Sequence, residues 1–339
     1  MRILILGLGG AGQRHLRLVL ERFPKAEIIT VRHRGRLFEI SDDLSADFET
    51  NIVKKYSLTV VPTLEDALSL APAFAIIATP TSFHSEQAEE IVKSGISVLI
   101  EKPLGAASNA AKNLLEQAKK TGAYVQIGYM WRYHPAVKLI SEYLKSELNG
   151  DLIKASVASL SYFPGWHKYE DFHELYAAQL SLGGGVIPTE SHELDLLCEF
   201  FGHPTKMRCI GSRDQEFNLD VIDSAQIELT FEVSGSQVDA EIELSFLSTR
   251  IQRTIEICSE KSKLVWDLAG QTLVLSSENL EKNWSFSSVS SRSLQSAQLD
   301  SFYRRITMGE MTSKEANKVL VTSELINDLN SLSRASIAV

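Results

Sequence analysis

Cysteine is scarce in this chain of 339 residues. Cys198, Cys209 and Cys258 are odd in number, far apart and without Cys-x-x-Cys spacing, which indicates neither a disulfide framework nor a zinc site and fits a reducing compartment. Long apolar runs are also missing. Nothing approaches the roughly 18–20 residues a bilayer span requires, and Met1 to Leu8 runs into glycines before it could serve as a signal peptide's apolar region. The expectation is a soluble cytoplasmic protein with no membrane partner. Basic charge is in deficit, with 34 Lys and Arg against 43 Asp and Glu for a net charge of −9. Such a field repels phosphate backbones, so nucleic acid is not an expected partner. What is there is ordinary globular composition, 44% hydrophobic and 23% charged, which excludes a disordered or fibrous chain. At roughly 150 residues per domain the length suggests two domains.

The first half alternates short apolar runs with amphipathic stretches. Arg2 to Leu6 is a strand-length run, followed by glycines and then by Leu16, Val19, Leu20 and Phe23 at helical spacing. Further strands are expected at Glu27–Val31, Ala73–Thr79, Ser97–Glu101 and Ala123–Gly128. Helices are expected after Thr63, whose Thr-Leu-Glu-Asp resembles a capping box, and over Ser85–Ser94 and Ala107–Lys120. Unbroken apolar strands between helices are the pattern of a parallel sheet covered on both faces, so residues 1–128 predict an α/β, doubly wound Rossmann domain. Residues 37–56 carry no clear pattern. The second half changes period. Ile227, Leu229, Phe231 and Val233 alternate with polar residues, as do Val238, Ala240, Ile242, Leu244 and Phe246, with Ser234-Gly235-Ser236 between them. That is an antiparallel hairpin. Weaker strands follow at Thr254–Cys258, Lys263–Leu268 and Thr272–Leu275, Ser285–Ser293 reads as a loop, and helical spacing returns over Ser313–Leu332. Residues 129–339 therefore predict an α+β domain with a largely antiparallel, open-faced sheet.

Gly7-Leu-Gly9-Gly10-Ala11-Gly12 follows the first strand and opens the first helix. In that setting Gly7 permits the tight turn, Gly9 admits a pyrophosphate to the backbone, Gly12 lets helix and strand approach, and the helix N-terminus offers amide donors. A dinucleotide is the expected ligand. An acid about 20 residues on would take the ribose hydroxyls of NAD. Here the second strand ends in Arg32-His33-Arg34-Gly35-Arg36, with no acid between Glu27 and Glu39. Arginines suit a ribose 2′-phosphate, so the pattern favours NADP over NAD.

Two further segments fall at the carboxyl edge of the expected sheet, where ligands bind. Thr79, Pro80 and His84, in Ala78-Thr79-Pro80-Thr81-Ser82-Phe83-His84, are placed to line the dinucleotide. Glu101-Lys102-Pro103 ends the next strand, and a lysine beside a nicotinamide can donate to a substrate oxygen.

Together with Arg14-His15, Gly128-Tyr-Met-Trp-Arg132-Tyr-His-Pro135 and Gly183-Gly-Gly185 leading to His192, these segments resemble the glucose-fructose oxidoreductase, inositol dehydrogenase and MocA family (Gfo/Idh/MocA) over about 200 residues and, with the antiparallel strands, most of the chain. The resemblance implies an NADP- or NAD-dependent oxidoreductase that moves hydride to or from a carbinol carbon of a sugar, amino sugar or nucleotide-linked sugar. It also implies a homodimer or homotetramer. Lys102 then corresponds to the active-site lysine and His192 to the proton-transferring histidine. His192, Asp195 and Glu199 share the polar side of a helix start, and an imidazole suits proton transfer near neutral pH. His192-Glu-Leu-Asp195 is not His-Glu-x-x-His, so no metal is expected. Thr189 stands where many members carry an Asp, leaving Glu190 or Asp195 to replace it or His192 to act alone. Arg132 and Tyr133, at the domain junction, and Trp166, His167 and Tyr176, in an aromatic segment suited to sugar rings, join Thr189, Glu190 and His192 as substrate-binding candidates. This segment with Ser191-His-Glu-Leu-Asp195 is similar to a subgroup associated with surface-polysaccharide and nonulosonate sugar pathways. Two rival readings are a redox-assisted glycosidase that keeps its NAD and a non-catalytic dinucleotide-binding regulator.

Overall fold

The computed structural model describes residues 1–31, 37–105, 109–146, 150–214, 217–309 and 313–337. The chain begins β1 (Arg2–Leu6), α1 (Gly10–Arg22), β2 (Glu27–Val31), β3 (Phe38–Ile40), β4 (Ala46–Asn51), α2 (Ile52–Lys55), β5 (Thr59–Val61) and α3 (Leu64–Ser69). It continues through β6 (Ala75–Ile77), α4 (His84–Lys93), β7 (Val98–Ile100), α5 (Ala110–Thr121) and β8 (Val125–Ile127). The strands pair in the parallel order β5-β2-β1-β6-β7-β8. The order reverses between β1 and β6, and the crevice outside their carboxyl ends lies between the glycine loop and the segment after β6. Thr63 caps α3 reciprocally with Asp66, the capping box its sequence announces.

The weakly patterned residues 37–56 form a two-stranded antiparallel hairpin, β3 with β4, followed by a single turn of helix. Gln13 of α1 fixes this hairpin by donating to the carbonyls of Leu8 and Phe38, both at 3.1 Å, and accepting from the Ile40 amide at 2.7 Å. A buried glutamine satisfied on three sides pins the hairpin beside the glycine loop.

The second half comprises α6 (Pro135–Leu144), β9 (Leu152–Tyr162), α7 (Val186–Thr189), α8 (His192–Phe201), β10 (Lys206–Ser212), β11 (Ser224–Val233), β12 (Ser236–Ser245) and β13 (Leu247–Ser259), then β14 (Ser262–Asp267), β15 (Thr272–Ser277), β16 (Leu280–Ser285), α9 (Ser291–Met308) and α10 (Ser313–Ile337). Its eight strands run in the order β10-β11-β12-β9-β13-β14-β15-β16, all antiparallel except β12 with β9. The period of two seen in the sequence sets the register: Ile227 faces Ile242, Leu229 faces Ala240 and Phe231 faces Val238, all buried, while Glu228 faces Glu241 on the other face. Ser234 and Gly235 both have positive φ, as a two-residue hairpin with a type I′ turn requires. Strands β9, β10 and β16 were not anticipated.

The serine-rich stretch expected as a loop is one only as far as Ser290. There a reciprocal cap with Ser293 starts α9, because a serine that can accept from the third helical amide closes a helix as readily as it opens a turn. α9 returns to the Rossmann domain. Leu299 and Phe302 complete a core with Ile3, Ile5, Leu16 and Phe74, and the Phe302 ring meets those of Phe74 at 5.6 Å and Tyr124 at 5.8 Å. Residues from the far end of the chain thus seal one face of the N-terminal sheet. We expect Phe302→Ala to destabilise the protein by about 3–5 kcal/mol in chemical unfolding, as for a fully buried aromatic; a loss below about 1 kcal/mol would show that α9 does not share this core.

Candidate active site

Gly7 has φ +85°, and a Cβ there would collide with the backbone of Ala78 and Thr79. A Cβ on Gly12 would collide with the Gly7 carbonyl, whereas one on Gly9 would meet nothing within 4 Å. The first contacts are those of a loop folded on itself, and the space at Gly9 is what a pyrophosphate needs. α1 begins at Gly9 with no side-chain cap and no acid in its first turn, so its amides stay available to an anion. The residues fit a dinucleotide. Leu44 and Ile40 of the hairpin pack against Gly10, so the β3–β4 unit borders the same loop. Arg32, His33 and Arg34 lie outside the described residues.

At the next strand ends the structure separates residues that the sequence grouped. The Thr79 hydroxyl donates to Gln87 at 2.7 Å. His84 is 1% exposed, with its ring nitrogens 2.7 Å from the carbonyl oxygens of Thr79 and Pro103. It braces the turns after β6 and β7 from within, and burial lowers its pKa. Glu101 accepts from His15, which is itself buried, at 2.7 Å. Burial would raise the Glu101 carboxyl, but the His15 hydrogen bond and the charges of His15, Arg14 and Lys102 bring it down to about 2.

Lys102 crosses the junction: its ammonium donates to the carbonyl of Thr189 at the end of α7. The backbone thus provides at residue 189 the oxygen that the threonine side chain lacks as a charged group. Among the described residues one of the three ammonium donors has a partner. Burial pushes Lys102 below its ordinary value of 10.5, against the pull of Glu190 and Glu101. His192 opens α8 almost fully buried, its ring edge-on to Tyr129 at 5.9 Å, and its Nδ1 has no hydrogen-bond partner among the described residues. Burial first, then the positive charges of Lys102 and Arg253, hold its pKa well below 6.5. A neutral imidazole beside a cationic lysine can take a proton from a hydroxyl whose oxygen the lysine polarises. Tyr176 closes the same cleft, its hydroxyl pushed up to about 12 by burial and by Glu101 and Glu190.

The other candidates sit further back. Arg132 grips Asp195 with two bonds of 2.7 and 2.5 Å, and Asp195 also accepts from Thr322 of α10 at 2.8 Å. This anchors α8 and engages both oxygens of Asp195. Tyr133 lies in the 3₁₀ turn Met130–Tyr133 beside Arg132. Trp166 packs on Phe163 and Phe246. His167 stacks on Tyr169 and lies 2.9 Å from Glu170, and Tyr169 reaches Phe38 of β3 at 6.0 Å, so this segment meets the Rossmann hairpin. Glu190 accepts from Ser159 at 3.0 Å and from Arg253 at 3.4 Å. Arg253, unnoticed in the sequence, also forms a bidentate pair with the fully buried Glu193 and lies over the Trp131 ring at 5.7 Å. Its signal was available: in β13 it shares the face of the apolar Ile255 and Ile257, where a charge demands a partner.

This is a nicotinamide-dinucleotide type of Rossmann domain facing a polar interdomain cleft. Residues 1–129 match the family model described as the oxidoreductase family, NAD-binding Rossmann fold, GFO_IDH_MocA. It is 30% identical over 138 residues to a scyllo-inositol 2-dehydrogenase (NAD(+)) of Bacillus subtilis, a match covering 40% of this chain and 37% of that protein. Across the first curated relatives the chain spans 37% to 66% of their length. Among solved structures, the UDP-N-acetylglucosamine 3-dehydrogenase GnnA of Acidithiobacillus ferrooxidans superposes with TM-score 0.75 at 19% identity, over 99% of both chains. A biliverdin reductase of Synechocystis, in complex with biliverdin and NADP+, does so with TM-score 0.76 at 14% identity over 98% of both. At such identities the likeness is one of fold, and it extends to the second domain.

The Glu101 shift carries a pH signature. Its folded value lies below the ordinary 4.5, so its ionised form stabilises the fold fully above about pH 4.5, and that increment is lost as pH falls towards about 2. Glu101→Gln should therefore be less stable than the wild type at neutral pH, with the gap closing between pH 4.5 and 2 in thermal melts; a gap independent of pH would contradict the ionised Glu101–His15 pair.

Proposed function

We propose that this protein is an NAD(P)-dependent dehydrogenase or reductase acting on a CH–OH group of a sugar, amino sugar or nucleotide-linked sugar. The observation that carries the reading is the meeting of Lys102, from the sheet edge that bears the glycine loop, with the α7–α8 segment that bears His192. Gly7 to Gly12 and the amides of α1 would hold the dinucleotide, which when bound supplies hydride exchange at its nicotinamide ring. Lys102 donates to the carbinol oxygen and stabilises the negative charge that develops on it. His192, neutral because it is buried between cations, accepts the hydroxyl proton in the oxidative direction and returns it in the reductive one. Tyr176 orients the sugar, and Tyr129 holds the imidazole from its edge. The inositol and sugar-nucleotide dehydrogenases among the similar proteins support a polyhydroxylated substrate.

The finer cofactor reading is NADP, on the basic run Arg32 to Arg36, and the subgroup reading is an enzyme of surface-polysaccharide sugar pathways, as a homodimer or homotetramer. Titration with both phosphorylated and unphosphorylated cofactors tests the first. Arg32→Asp and Arg34→Asp should remove a preference for NADP, and a wild type that prefers NAD, or indifferent variants, would overturn it.

Turnover tests the chemistry. Incubation with either oxidised cofactor and a panel of inositols, hexoses and UDP-sugars should produce reduced nicotinamide. Lys102→Ala and His192→Ala should lower kcat by about 10²-fold or more while leaving cofactor Kd nearly unchanged. Unaltered turnover in both variants would remove their assigned roles, and hydrolysis without accumulation of reduced cofactor would identify a redox-assisted glycosidase instead.

A further inference from the structure

A buried lysine that must stay cationic needs a carboxylate near it, and of the two acids that could stand in for the missing Asp, Glu190 is the one the geometry supplies. Thr189 gives Lys102 only a neutral carbonyl. Asp195 is committed to Arg132 and Thr322. Glu101 accepts from His15. Glu190 is 6% exposed, follows directly on the carbonyl that Lys102 holds, and has its carboxylate fastened from behind. Ser159 donates to it from β9 at 3.0 Å, Ser161 from the same strand at 3.4 Å, and Arg253 from β13 at 3.4 Å. Arg253 is in turn fixed by the fork it makes with Glu193 and by the Trp131 ring.

We propose that Glu190 is the carboxylate that keeps Lys102 cationic in the cleft, and that Arg253 is a positioning residue that acts on Lys102 through Glu190. The charged and titratable groups that act electrostatically on Lys102 are Glu101 from its own strand end, Glu190 beyond α7, Glu193 and His192 from α8, and Arg253 from β13. Arg14, Tyr176 and His15 complete the set around Glu101 and Glu190. Of these Glu190 adjoins the carbonyl that Lys102 holds and has its carboxylate fixed by Ser159 and Arg253. An arginine this close would by charge alone disfavour the ammonium; as the clamp on Glu190 it has the opposite effect. This distinction makes the role of Arg253 testable.

The inference rests on Lys102 as the polarising group, but its test does not use turnover. Trace labelling of the full-length protein with acetic anhydride across a pH series, with the Lys102 peptide quantified by mass spectrometry, gives the midpoint at which its amine becomes nucleophilic. Glu190→Gln should move that midpoint down by about one pH unit or more. Arg253→Lys keeps the charge and loses the fork, and should move it in the same direction by a smaller amount. If Glu190→Gln does not fold, Ser159→Ala, which loosens the carboxylate without removing it, should also shift it downward. An unmoved midpoint in Glu190→Gln, or in Ser159→Ala where that variant is the one available, overturns the assignment of Glu190. A midpoint in Arg253→Lys that matches the wild type or rises overturns the positioning role. Since the readout is the lysine's own ionisation, a protein that turned over no sugar could still pass, so the two readings fail separately.

Discussion

The ammonium of Lys102 leaves the edge of one sheet and ends on a carbonyl of the other domain. An amine buried at such a junction is costly unless it is hydrogen-bonded and its charge has an answering one. The surrounding architecture meets that demand: α7 delivers the carbonyl, β9 and β13 hold Glu190, and α8 starts on His192 in the same layer. Moving either domain by a few ångströms would strand the lysine, so the charge requires the cleft to be held in register.

What holds the register is interleaving of the chain. α9 crosses back to fill the core beneath β1, and α10 ties α8 from the far side through Thr322 to Asp195 and Lys318 to Glu199. The buried pairs Arg132–Asp195 and Arg253–Glu193 add little net stability over apolar packing, since desolvation offsets most of their attraction. They do fix direction: a guanidinium fork accepts a carboxylate in one plane, and two such forks orient α8 from its two sides. The Nδ1 of the histidine they position, His192, has no hydrogen-bond partner among the described residues.

Both folds were readable where one residue decides one contact. Gly7 and Gly12 could be assigned because no side chain fits there, and the alternation from Ala225 to Phe246 because a slip of one residue would turn Ile227 and Leu229 to solvent. The hairpin β3–β4 was illegible because it is held by Gln13 and not by its own apolar period. α9 was hidden because its buried residues face a core built by the other end of the chain. In the site, Lys102 and His192 stand out by type and setting. His84 shares a segment with Thr79 and Pro80 in the sequence, and only the fold shows its ring turned inward onto the Thr79 and Pro103 carbonyls. Arg253 escaped because a charge in a strand normally marks the solvent face, although its alternation with Ile255 and Ile257 puts it on the buried one, where Glu193 meets it.

The proposed chemistry depends on one arrangement, a dinucleotide laid from the glycine loop to the Lys102–His192 cleft. The most direct measurement is a crystal structure of the complex with the cofactor that binds more tightly. The account requires the pyrophosphate at Gly9 and Gly10 over the start of α1, with the nicotinamide C4 facing the space between Lys102, His192 and Tyr176. A nicotinamide directed away from that space, or a dinucleotide bound elsewhere, would contradict it.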